Sequence, residues 1–124
     1  MSSLADVRTD LFDLLSTVSD DVNVYRRRQT NYQYPALMIG WPQSMDVRSA
    51  MGGARTFVLD VIIGVESTDD DSSDDDLSDL LEETVNVILD GSEWDVEPAT
   101  DFGEELTADN RVILSCRLPV AVFT

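Results

Sequence analysis

Apolar residues recur along this chain with two different periods, and the period marks each element. Over residues 3–17, Leu4, Val7, Leu11, Leu14, Leu15 and Val18 return every three or four positions, the stripe of an amphipathic helix. Ser3 suits its cap, with Asp6 three residues on, near the positive end of the helix dipole. Residues 22–28 alternate, with Val22 and Val24 on one side and Asn23 and Tyr25 on the other, which predicts a strand. A polar stretch over 29–33 predicts a turn. A second strand over 34–41 follows, whose centre, Ala36-Leu37-Met38-Ile39, is apolar on both faces. The strongest strand pattern is 55–66. Phe57, Leu59, Val61, Ile63 and Val65 line one face; Val58 and Ile62 share the other with Asp60, Gly64 and Glu66.

The period then returns to helical. Leu77, Leu80, Leu81, Thr84, Val85 and Ile88 form the buried stripe of a second helix over about 74–90, with Ser73 as its cap and Gly91 in the left-handed position that stops it. A short strand over 94–97 turns Trp94 and Val96 inward. Residues 98–110 are polar and predict a connection, with a turn at Asp109-Asn110. Residues 111–118 alternate again, with Val112, Leu114, Cys116 and Leu118 on one face. Pro119 should bend this strand or end its ladder, and Val120 to Phe123 continue as an apolar strand. Sequential strands with short connections predict an α+β domain: a mostly antiparallel sheet of four to five strands with two helices packed on one face. At 124 residues the chain makes a single domain, 1–124.

Composition changes this picture in one direction. There are 18 Asp and 7 Glu against eight arginines and no lysine, a formal net charge of -17. A surplus this large opposes the compact state by self-repulsion. Molar salt shortens the screening length from about 10 Å to about 3 Å and relieves it. The composition thus resembles proteins of salt-in halophiles; the alternative is an ordinary acidic protein from a GC-rich genome, where Arg replaces Lys at codon level. It argues against a nucleic-acid-binding face and against an anionic membrane surface. No apolar run reaches the roughly 18–20 residues that span a bilayer. The first residues lack the charged and apolar regions of a signal peptide. Histidine is absent, so imidazole-based catalysis is excluded. The lone Cys116 reads as a buried small hydrophobe.

No constellation points to catalysis, a cofactor or a metal. The acidic run 69–76 fails the calcium-loop pattern, with Asp74 where glycine is needed and Leu80 where a bidentate Glu is needed, and reads as a hydrated loop and helix start. Arg26, Arg27 and Arg28 form the basic cluster. They serve either as an ion-pairing patch for a partner or as salt bridges within this acidic chain; strand alternation separates Arg27 from the other two. Asp60 is either a buried acid that pairs with an arginine or titrates abnormally, or an exposed residue on the wetter face of its strand, and the half-polar face favours the second. Gly52-Gly53 lies in a long connection, residues 43–54, with Met45 and Met51, and lacks the phosphate-loop pattern. Trp41 and Trp94 read as core or interface anchors.

The layout resembles the tail terminators of long-tailed phages. The resemblance rests on the N-terminal helix followed by Val22-Asn23-Val24-Tyr25-Arg26 and the aromatic-Pro strand Tyr34-Pro35-Ala36-Leu37-Met38-Ile39. It extends through the Gly52-Gly53 loop, the long strand from Phe57 to Val65, the helix from Leu77 to Leu89 and two closing strands. It implies a structural virion protein, assembled in the host cytoplasm, that forms a hexameric ring on the tail tube and joins the tail to the neck. Together with the charge, it implies a tailed virus of a halophilic archaeon. Its partners would be copies of itself, the tail tube protein and neck connector proteins, with DNA passing an acidic lumen without specific binding. Its contact surfaces would be Val58 and Ile62 on the second face of their strand, the loop with Met45, Met51, Gly52 and Gly53, and the C-terminal Val120, Val122 and Phe123. A head-closure or tail-completion protein, or a cellular adaptor of a halophile, are the alternatives.

Overall fold

The computed structural model describes residues 4–26, 33–41, 56–67, 72–91, 94–107 and 110–123. Among these, two helices, α1 (Leu4–Leu15) and α2 (Ser72–Asp90), pack on one face of a six-stranded sheet. The strands are β1 (Asn23–Tyr25), β2 (Ala36–Gly40), β3 (Thr56–Glu66), β4 (Trp94–Val96), β5 (Thr100–Leu106) and β6 (Val112–Phe123). The order across the sheet is β1-β2-β3-β6-β4, with β5 beside β4 along the same flank of β6. All pairings are antiparallel except β1 with β2. That parallel pair excludes a tight hairpin between β1 and β2; the turn expected over 29–33 falls almost wholly outside the described residues.

The core forms where the two periods meet. Phe57, Leu59, Val61, Ile63 and Val65 of β3 are buried against Val7, Leu11 and Leu15 of α1 and Leu77, Leu80 and Ile88 of α2. Leu37 and Ile39 of β2 and Cys116, Leu118, Val120 and Val122 of β6 complete it. Thr84 is polar within this layer, and its hydroxyl donates to the Leu80 carbonyl at 2.7 Å, which satisfies it inside the helix.

Four expectations need correction. Residues 98–110 hold a strand, β5, whose burial is low throughout, so no apolar alternation marked it. Its backbone is irregular between Thr100 and Gly103, and Asp101 takes a left-handed φ of 58° there. Pro119 does not end β6. Its carbonyl accepts from Glu97 N–H at 2.9 Å, so its missing donor likewise points away from β3, just past the end of β4, and the β3–β6 ladder loses no bond. α2 starts at Ser72, so Ser73, expected as its cap, lies one residue inside the helix and is buried. Gly91 ends α2 without a left-handed backbone. A Cβ there would stand 3.1 Å from Leu14 Cδ2 of α1 and 3.2 Å from the Ile88 carbonyl oxygen, so a side chain at this position would press on both helices.

Candidate interaction surfaces

Strand alternation that fills the core also defines what faces away from the helices. On this open face stand Ala36 and Met38 of β2, Val58, Asp60, Ile62 and Gly64 of β3, and Ile113, Ser115 and Arg117 of β6. Ala36, Met38 and Ile113 are buried although no helix covers them. Tyr34 is one reason: its ring lies over Gly64, where an added Cβ would come within 3.0 Å of Cε1. Arg111 extends the cover, its guanidinium carbon 5.5 Å from the Tyr34 ring centroid and its Nη1 donating to Glu66 Oε1 at 3.0 Å. A depression of about 270 Å³ remains, lined by Tyr34, Met38, Ile62 and Ile113 with the carboxylates of Asp101 and Glu105 beside Arg117.

Asp60 corrects the sequence reading. It is 3% exposed, not on a wet face, and Arg117 Nη1 meets its Oδ2 at 3.1 Å. Arg117 Nε also reaches Asp101 Oδ2 at 3.6 Å, so one guanidinium links two carboxylates. Burial holds the Asp60 carboxyl above its ordinary value of 3.8; Arg117 pulls the other way, and the charges of Asp101 and Glu97 add to the rise. Cys116 is buried as expected, and desolvation pushes its thiol up to about 11.

The two flanks of the sheet differ in charge. On the β1 flank, Arg8 Nη2 donates to the Arg26 carbonyl at 2.8 Å and Arg26 Nη2 donates to Thr9 Oγ1 at 2.7 Å. The Arg8 guanidinium carbon also lies 4.8 Å from the centroid of Trp41, which is 58% exposed. On the β5 flank, Asp101, Glu104 and Glu105 are exposed. Phe102 and Leu106 are exposed there too, and Leu106 sits beside the exposed Val112.

Of the residues singled out from sequence, Val58 and Ile62 are half-buried on the open face and Arg26 is exposed just past β1. Val120 and Val122 are buried in the core against the helices, and Phe123 pairs with Thr56 in the β3–β6 ladder. Arg27, Arg28, Met45, Met51, Gly52 and Gly53 lie outside the described residues. Trp94 joins the core, whereas Trp41 does not. Sequence reasoning missed Arg117, Tyr34, Phe102 and Leu106. Arg117 did leave a trace, since it and Asp60 are each a charge in the middle of a long apolar strand.

Among the described residues, no group of three or more metal-ligating side chains comes together, and no helix is long and apolar enough to cross a membrane. No protein-family model matches the chain, and no curated protein matches it.

Proposed function

We propose that this chain is a structural virion protein of the tail-terminator kind, a subunit of a hexameric ring that caps the tail tube and joins the tail to the neck. The observation that carries the reading is the one-sided architecture. Both helices back one face of the sheet, and the other face and both flanks keep apolar and charged groups for partners. A ring subunit needs such separate surfaces, for its neighbour in the ring and for the tube. The order of helix, paired strands, long strand, helix and closing strands agrees with the resemblance read from sequence. The charge of -17 fits a particle assembled in concentrated salt, in a tailed virus of a halophilic archaeon, and an acidic lumen lets DNA pass by repelling phosphate. In this reading the protein transforms no substrate.

The test is electron microscopy of particles assembled without this protein, with purified protein added back to tail tubes. Overlong tails, or tails that fail to join heads and are corrected by addition of the protein, support the reading. Tails of normal length and normal joining overturn it. Tails of correct length beside unfilled or leaking heads assign the protein to head closure instead.

A further inference from the structure

We propose that a second copy of this chain docks edge to edge on the first, the β1 flank of one against the β5 flank of the next. The inference rests on the ring reading and says which surfaces would close the ring.

Sheet register brings these flanks together. Rows of Cα partners cross the whole sheet from one side to the other. One runs Asn23–Ala36–Gly64–Ser115–Gly103, and another runs Tyr25–Met38–Ile62–Arg117–Thr100. β1 and β5 therefore lie at the same height on opposite sides, and a neighbour placed without any rise along the strands sets one beside the other. Direction agrees as well. β1 runs parallel to β2, and three antiparallel steps lead from β2 to β5, so β1 of one copy meets β5 of the next antiparallel.

Both flanks offer backbone groups. Asn23 N–H donates inward to the Pro35 carbonyl at 3.0 Å, so alternation turns the N–H and C=O of Val24 outward. Thr107 N–H donates inward to the Arg111 carbonyl at 2.8 Å, and the same alternation turns those of Glu104 and Leu106 outward. Among the described residues, no strand pairs with either outer side. Unpaired strand edges are sites of strand addition.

Charge selects the partner. The β5 flank carries Asp101, Glu104 and Glu105, so β5 against β5 would set acids on acids. The β1 flank carries Arg8 and Arg26, neither of which meets a carboxylate among the described residues. Arg26, one residue past Tyr25, comes level with Leu118, next to the row of Pro119 and its partner Glu97. The matched combination joins unlike flanks, which adds copies head to tail, and where the rotation between neighbours closes it gives a ring without free edges. Phe102 and Leu106 supply apolar area that molar salt does not screen.

The test is cross-linking in molar KCl. Two double variants, Asn23→Cys with Gly103→Cys and Val24→Cys with Phe102→Cys, place thiols at matched heights; a Cβ at Gly103 meets nothing within 4 Å. Oxidation should give a ladder of multimers ending in a closed ring, and each single variant should stay uncross-linked because the contact is not two-fold. Folded double variants that give no ladder overturn the inference. As a check independent of new thiols, Arg26→Glu should weaken self-association about tenfold or more at moderate salt, and adding Glu97→Arg should restore it. Equal association of all these charge variants overturns it too. The mass of the unmodified protein separates this from the ring reading. A discrete ring without a ladder removes only the edge contact, a ladder in a protein that ignores tail tubes removes only the tail role, and a monomer without a ladder removes both.

Discussion

Asp60 and Arg117 place a charge pair on a face of the sheet that no helix covers, yet the carboxylate is almost sealed. Breaking a buried pair leaves an uncompensated charge, which costs roughly 3–5 kcal/mol. Arg117 is about a third exposed, so Arg117→Ala should fall near the low end, about 3 kcal/mol, by denaturant unfolding in molar salt. The acid carries a pH signature of its own. A carboxyl whose folded pKa lies above its unfolded one holds its proton more firmly when folded. Its contribution to stability is then greatest below 3.8 and shrinks as pH rises through the raised value. The stability of the parent protein minus that of Asp60→Asn should therefore fall as pH rises above 3.8. A difference that grows with pH would mean that Arg117 outweighs burial. Cys116, with its thiol raised to about 11 and buried, should resist alkylation at pH 8 in the folded state and react within minutes once unfolded.

At the scale of elements, Tyr34 and β3 depend on each other through Gly64. The ring needs the bare backbone at Gly64, and the buried state of Ala36 and Met38 needs something over this face. Gly64→Val should cost about 1–3 kcal/mol by overpacking, read as a lower unfolding midpoint. Combining it with Tyr34→Ala should recover much of that loss, since the clash is with the ring and not with backbone; equal losses in the two backgrounds would refute the packing. β5 teaches the opposite lesson to β3. Residues 57–66 of β3 alternate between core and open face, a period legible at once. β5 is an outer strand whose side chains are nearly all exposed, so its backbone pairing with β6 is not written in any apolar period. Pro119 misled for a related reason: whether a missing N–H matters depends on what lies across from it, and here that is the gap after β4.

For the whole molecule, charge dominates. With -17 spread over 124 residues, folding works against self-repulsion that salt screens. The thermal midpoint should climb steeply from dilute buffer to molar KCl; a flat midpoint would remove the salt adaptation. The climb should be shallower at pH 4, where many carboxylates are protonated and less charge needs screening.

The apolar periods determined the two helices, the long central strands and the layer between them, because burying apolar area depends on local spacing that a chain carries in its own sequence. Composition likewise determined the acidity. What tertiary structure alone decided is which charges meet and which edges stay free. Asp60 and Arg117 are 57 positions apart in the chain and become partners only through the register of β3 on β6. The equal heights of β1 and β5 follow from four successive strand pairings, and no local pattern encodes them, because register is a relation between segments and not a property of either one.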